Sequence, residues 1–251
     1  MALVFVGLGL WDERDISLRG LDEVRSADHL FAEFYTSTLG GASVERLETL
    51  YGKKITVLKR EEVENSPGPL LEKAKAGTAV LLVGGDPMVA TTHVDLRLRA
   101  LSLGIPVRIV HGPSIVSAAA ALAGLQSYKF GRSATVVAPF KPGMPVPRSA
   151  YDALRENLRR GLHTLLLLDP GLAIPRALEL LEAVEEERRE GVLPRTFVGV
   201  ARAGSESPRV RAGTPDELRG VDFGGMPHVL VCPGELHFVE AEALKRLARP
   251  G

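Results

Sequence analysis

Three short stretches of this chain hold residues whose types and order could do chemistry. Gly7-Leu-Gly-Leu-Trp-Asp-Glu-Arg-Asp15 follows one apolar run, and Gly84-Gly-Asp-Pro-Met-Val-Ala-Thr-Thr-His93 follows another. The third, Val107-Arg-Ile-Val-His-Gly-Pro-Ser114, leads through a Gly-Pro turn into the alanine-rich stretch Ile115–Ala123. Glycine at a strand end lets a ligand approach the backbone, and ligands of parallel sheets collect at the carboxyl ends of strands. Asp86 at such an edge can accept hydrogen bonds from ribose hydroxyls or an ammonium group. Ser114 is a natural N-cap, and the free amides of the helix it starts could receive a carboxylate or a polar adenine edge.

Gly7 and Gly9 also fit the first two glycines of a dinucleotide fingerprint, with Glu33 at a suitable spacing for a ribose-binding acid. Asp12 stands where the third glycine belongs, and Glu13 and Asp15 lie close behind. Three carboxylates where a pyrophosphate would meet a helix amino terminus repel it, which disfavours a nicotinamide-dependent oxidoreductase. A ligand without phosphate, above all a cationic one, meets no such repulsion. The plainer alternatives are an N-capping acid cluster for Asp12 and Asp15 and an ordinary Asp-Pro turn for Asp86.

The elements that must position these residues alternate regularly. Apolar runs predict strands at Leu3–Gly9, His29–Phe34, Ile55–Leu58, Thr78–Val83 and Val107–Val110. Helical spacing predicts helices at Ser17–Ala27, Ser43–Tyr51, Pro69–Ala76 and Thr91–Leu103, with Tyr35–Gly41 as a loop. Crossovers of that length imply an α/β fold with a mainly parallel sheet. A boundary falls near His111-Gly-Pro113, giving an N-terminal domain over 1–112 and a C-terminal domain over 113–251. The second half predicts strands at Ala134–Ala138, Thr164–Leu168, Thr196–Val200 and Val229–Cys232, and helices at Ser149–Arg160, Ala173–Arg189 and Glu235–Leu247. Phe140–Arg148 and Ser205–Pro208 read as loops, and the second sheet as mixed.

The chain has 251 residues, with 31 Lys+Arg against 31 Asp+Glu. That balance argues against a direct nucleic-acid or anionic-membrane binder. No run reaches the roughly 18 apolar residues of a membrane span, and a cytoplasmic location is expected. The single cysteine, Cys232, excludes an intrachain disulfide, and the scattered histidines lack metal spacing. Only Asn65, Gln126 and Asn157 carry side-chain amides, a scarcity that suggests a thermophile.

The motifs, taken together, resemble the diphthine synthase family, within the tetrapyrrole-methylase-like group of S-adenosylmethionine-dependent methyltransferases. Nearly the whole chain takes part. The resemblance is carried by Val6-Gly-Leu-Gly-Leu-Trp-Asp-Glu-Arg-Asp15, Phe31-Ala-Glu-Phe-Tyr-Thr-Ser37, Gly85-Asp-Pro-Met-Val-Ala-Thr-Thr-His93 and His111-Gly-Pro-Ser-Ile115. Further carriers are Tyr128-Lys-Phe-Gly131, Gly161-Leu-His-Thr-Leu-Leu166, Ala201-Arg-Ala-Gly204 and Pro227-His-Val-Leu230. The Gly-x-Gly and Gly-Asp-Pro turns are common to the group, whereas Phe31–Ser37 and Ala90–His93 look specific to diphthine synthases. Phe140–Arg148 and Pro170–Arg176 depart from the family pattern.

The resemblance implies two α/β domains of the tetrapyrrole methylase type, a homodimer, and a methyl donor in the cleft between domains. It implies donor contacts from Leu10, Asp86, Val89, Ser114 and Ile115, and from Leu168, Ala203 and His228. The implied acceptor is the amino group of a modified histidine on translation elongation factor 2, and the by-product is S-adenosylhomocysteine. Tyr35, Thr36, Ser37, Thr92 and His93 are candidates for the acceptor side. Methyl transfer from a sulfonium needs positioning and desolvation more than covalent help, so no catalytic triad, metal or cysteine is required. A corrinoid or tetrapyrrole precursor as acceptor, and a non-catalytic adenosyl-ligand sensor, are the alternatives within the same fold.

Overall fold

The computed structural model describes residues 1–141 and 143–248; Pro142, in the expected Phe140–Arg148 loop, lies outside the described residues. The chain divides into two compact units, Met1–Ile115 and Val116–Gly251.

In the first unit, five parallel strands lie in the order β3-β2-β4-β1-β5: β1 Ala2–Gly7, β2 His29–Glu33, β3 Ile55–Leu58, β4 Thr78–Val83 and β5 Val107–Val110. Every residue of β1 and all but the first of β4 are buried, the signature of central strands covered on both faces. One face packs Val4, Val6, Val80 and Leu82 against α1 (Leu18–Ser26) and α2 (Val44–Tyr51), through Val24, Leu47 and Tyr51. The other packs Leu3, Phe5, Leu81 and Val83 against α3 (Arg60–Glu64), α4 (Gly68–Ala76) and α5 (His93–Ser102). Ser17 and Ser43 cap α1 and α2 by accepting from the amides of Gly20 and Arg46. The short helix α3 is an addition to the expected elements, whereas the 3-10 turn at Glu13–Asp15, capped by Asp12, matches the plainer reading of that acid cluster.

The chain passes into the second unit along α6 (Ile115–Ala123). There the sheet order is β6-β7-β10-β8-β9, with β6 Ala134–Val136, β7 Thr164–Leu168, β8 Phe197–Ala201, β9 Arg209–Gly213 and β10 His228–Cys232. Only β6 and β7 run parallel, so the sheet is mixed as expected. Helices α7 (Ser149–Leu158) and α8 (Ile174–Arg188) bury Leu154, Leu178 and Leu181 against Leu166, Phe197 and Leu230. Strand β9 and the short helix α9 (Pro215–Arg219) are additions to the expected elements. The expected C-terminal helix does not begin at Glu235. It begins at Phe238, as α10 (Phe238–Ala243), because His237 caps it through the amide of Val239, and it continues as a π-helical turn over Leu244–Ala248.

Buried polar groups lock the second unit. Asn157 donates to Arg132 O (2.8 Å) and to Thr164 Oγ1 (3.0 Å), and accepts from the Arg132 amide (3.1 Å). Glu240 is fully buried and accepts from the Gln126 amide, His163 Nε2, Lys129 Nζ and the His237 amide at 2.6 to 2.9 Å. Burial pushes its carboxyl up, but the Lys129 ammonium and the surrounding donors outweigh that and hold it down at about 2. A carboxyl lowered on folding stabilises above its ordinary value near 4.5 and ceases to do so as pH falls toward about 2. The melting-temperature gap between wild type and Glu240→Gln is therefore largest above pH 4.5 and closes toward pH 2. A gap that stayed constant across that range in a pH series of thermal melts would contradict this account of the network.

Candidate active site

Because β1, β4 and β5 are neighbours in a parallel sheet, their three glycine-rich turns leave the same edge side by side. Their backbones touch. A Cβ built on Gly7 would lie 2.6 Å from both Gly112 N and Gly85 O, and one on Gly112 would lie 2.7 Å from Gly85 O. Gly9 and Gly85 exchange backbone hydrogen bonds of 3.3 and 2.7 Å, and both take left-handed φ angles, 81° and 74°. No side chain fits between these turns.

The acids after Gly9 serve the turn itself. Asp15 Oδ2 accepts from the amides of Leu10 (2.9 Å) and Trp11 (2.7 Å). Asp12 caps the 3-10 turn through the Arg14 amide (2.9 Å) and pairs with the Arg14 guanidinium (2.8 Å). The Arg14 hydrogen bond holds the Asp12 carboxyl below the usual range. Glu13 pairs with Arg46. Trp11 lies against the backbone of Gly41, whose amide donates to Trp11 O (2.9 Å), so this indole fastens the Tyr35–Gly41 loop to the first turn.

Asp86 is held on both oxygens: Oδ1 accepts from the Met88 amide (2.9 Å), and Oδ2 lies 2.7 Å from His111 Nδ1. Its side chain is only 8% exposed, yet each oxygen retains a lone pair for a ligand hydroxyl. Val89 is exposed beside it, and Ala90 takes a left-handed φ of 53°. Ser114 and Ile115, at the start of α6, follow the Gly112 turn directly. Leu10, Asp86, Val89, Ser114 and Ile115 thus belong to three adjoining turns.

The acceptor-side candidates also gather in this unit. Glu33, at the end of β2, accepts from the amides of Tyr35 and Thr36 (both 3.1 Å) and from the Thr36 hydroxyl. With its carboxylate committed there and fully buried, Glu33 is not a ribose-binding acid. Ser37 lies over Gly84, its Oγ 3.1 Å from where a Cβ would stand. The Tyr35 hydroxyl is buried without a partner, the Arg60 guanidinium sits 4.8 Å from the ring centroid, and burial raises the phenol's pKa. Thr92 donates to Glu64 (2.9 Å) and lines a recess of about 230 Å³ with Val63, Glu64, Asp95 and Leu96. His93 is fully buried, its Nδ1 2.9 Å from Pro87 O and its Nε2 3.6 Å from Glu33 Oε1. A ring so enclosed touches Glu33 and Pro87 rather than an acceptor.

In the second unit, the antiparallel register brings Leu168, at the end of β7, beside His228, at the start of β10, and Ala203 follows β8 at the same edge. His228 donates from Nε2 to Gly224 O (3.2 Å), which leaves its buried Nδ1 as an unpartnered acceptor. Burial lowers the imidazole's pKa, keeping it neutral. The cis Met226–Pro227 bond and the left-handed Arg202 and Gly204 flank this edge; none was legible beforehand.

Residues 2–219 match the family described as tetrapyrrole (corrin/porphyrin) methylases, which defines the class: a methylase built on two α/β units. The chain is 51% identical over 253 residues to the diphthine synthase of Methanocella arvoryzae, covering 98% of both chains. It is 51% identical over 255 residues to that of Methanosarcina barkeri, covering 98% of this chain and 96% of the relative. A crystal structure of diphthine synthase matches with a TM-score of 0.90 at 40% identity, covering 99% of this chain and 96% of that one. The chain belongs to the diphthine synthase family. Its activity is S-adenosylmethionine-dependent methyl transfer in diphthamide biosynthesis.

The first unit suits that donor. S-adenosylmethionine carries no phosphate, so the acids of the first turn do not oppose it, and the bare glycine edge leaves room for backbone contact. When bound, the donor supplies an electrophilic methyl group on a sulfonium. Among the described residues no helix is long and apolar enough to cross a membrane.

Proposed function

We propose that the acceptor is the amino group of the modified histidine on translation elongation factor 2, methylated in successive transfers to diphthine. The observation that carries this reading is the full-length identity to diphthine synthases, joined to the Phe31–Ser37 and Ala90–His93 blocks gathered around one buried carboxylate. Leu10, Asp86, Val89, Ser114 and Ile115 hold the donor in the first unit, and Leu168, Ala203 and His228 are its contacts in the second. Asp86 orients the ribose hydroxyls. Tyr35, Thr36, Ser37 and Thr92 form the acceptor side of the site, with the Thr36 hydroxyl held by Glu33 and the Tyr35 hydroxyl enclosed behind the loop. The amine attacks only when neutral, and a half-buried, water-poor wall favours that form. The enzyme works as a cytoplasmic homodimer.

The test is mass spectrometry of elongation factor 2 carrying the unmethylated intermediate, incubated with the protein and S-adenosylmethionine. Gains in methyl-sized steps on that histidine are expected, and their number counts the transfers. Absence of any gain, with donor binding verified in the same sample, would remove elongation factor 2 as the substrate.

A further inference from the structure

The Glu33–His93 pair is buried completely, yet it is not fully bonded. His93 Nδ1 lies 2.9 Å from Pro87 O and must donate to it, since a carbonyl only accepts. The other ring nitrogen, Nε2, has no hydrogen-bond partner and stands 3.6 Å from Glu33 Oε1. Glu33 in turn gathers the amides of Tyr35 and Thr36 and the Thr36 hydroxyl. A polar ring and a carboxylate sealed between two sheet-end loops are costly unless something uses them. Their connections are specific: one end reaches the Gly85-Asp86-Pro87 turn, and the other reaches the Tyr35–Ser37 loop.

We propose that Glu33 and His93 are positioning residues: Glu33 gathers the Tyr35 and Thr36 amides, His93 holds Pro87 O, and their buried contact at 3.6 Å keeps the Tyr35–Ser37 loop in register with the Asp86–Pro87 turn. The inference rests on the assignment of those two loops to acceptor and donor. Neither residue touches a reactant. The couple acts through the backbone of Pro87 and through Thr36, fixing the distance between the group that is methylated and the ligand on the turn. Sub-ångström misplacement of reacting groups is enough to slow a displacement severalfold or more.

Three variants that each remove part of the arrangement test this role. His93→Asn keeps a donor near the Nδ1 position for Pro87 O but lacks a group at Nε2. His93→Gln keeps a polar atom near Nε2 and loses the Pro87 bond. Glu33→Gln keeps the shape and removes the charge. In the full-length protein each is expected to lower kcat at least tenfold, with the Kd for S-adenosylhomocysteine changed less than threefold. The double variant Glu33→Gln/His93→Asn should be no slower than the worse single one, as expected for residues acting as a unit.

Amide hydrogen exchange provides a readout that needs no acceptor. Exchange at Tyr35, Thr36 and Ser37 should accelerate at least tenfold in His93→Asn, while β1 and β4 stay protected. Thr36→Val, which loosens the same loop from its far end, should do likewise if any His93 variant fails to fold. Unchanged exchange in the loop of a folded variant, or additive losses in kcat, would overturn the couple. If wild type leaves elongation factor 2 unmodified, the acceptor assignment fails, while the exchange result still decides the link between the loops.

Discussion

Asp86→Ala lowers affinity for S-adenosylmethionine and S-adenosylhomocysteine by about 10- to 100-fold, the loss of one or two hydrogen bonds to a charged group. The carboxylate is pre-aimed by the Met88 amide and by His111 and is almost withdrawn from solvent, so little ordering remains to be done when a ligand hydroxyl arrives. Asp86→Asn retains the Met88 contact and half the acceptor capacity, and should fall between wild type and alanine. The melting temperature of the alanine variant should drop only slightly, since a single turn loses its cap. Calorimetric titration with S-adenosylhomocysteine decides the matter: an alanine variant that binds as tightly as wild type would take Asp86 out of the donor site.

The second large effect is steric. Gly7→Ala places a methyl carbon 2.6 Å from Gly112 N and Gly85 O, and both obstacles are backbone that cannot swing aside. Overpacking of that kind costs about 3 kcal/mol or more, which for a chain of this size lowers the melting temperature by roughly 6–12 °C. Gly52→Ala is the control, because nothing lies within 4 Å of its would-be Cβ and only its left-handed φ of 67° opposes the change. Any Gly7→Ala protein that folds must spread the three turns apart, and donor binding should weaken with stability. Thermal melts and the same titration, run on both variants, test the two claims together. A Gly7→Ala protein as stable as the Gly52→Ala control would mean that the turns are not packed as described.

Much of this architecture is legible in the residues because two simple periodicities carry it. Thr78–Val83 and Val107–Val110 read as strands with their observed bounds, since buried parallel strands are unbroken apolar runs. Strand β9 does not read that way. Arg209, Val210, Arg211 and Ala212 give it no apolar run, and it exists because β8 offers a free edge for pairing. The short helices α3 and α9 are too brief for helical spacing to register, although the Thr214–Glu217 capping box was visible in principle.

The placement of Asp86 and Ser114 in turns after β4 and β5 was legible because Gly-Asp-Pro and Gly-Pro-Ser announce turns at strand ends. Glu33 misleads for a physical reason. Its spacing from the glycines suits a ribose contact, but the amides of Tyr35 and Thr36 fold the chain back onto its carboxylate. The burial of His93 depends on packing against Phe5, 5.9 Å away between ring centroids, and no local pattern encodes it. Likewise, the unpartnered nitrogens of His228 and His93 emerge only from the folded geometry.

The outer strands of the two sheets carry a further consequence. An open strand edge is a template onto which another chain can add, and proteins discourage this with cations or brevity. Here β3 is framed by Lys53, Lys54 and Lys59, β5 carries Arg108, β6 is three residues long behind Arg132, and β9 alternates Arg209 and Arg211. With a formal net charge of zero, the molecule has little overall repulsion to keep copies apart. Resistance to edge-to-edge aggregation is instead built in locally, one guarded margin at a time. Replacing Arg209 and Arg211 together would remove the charges from the β9 margin and make that edge more prone to strand addition at high concentration.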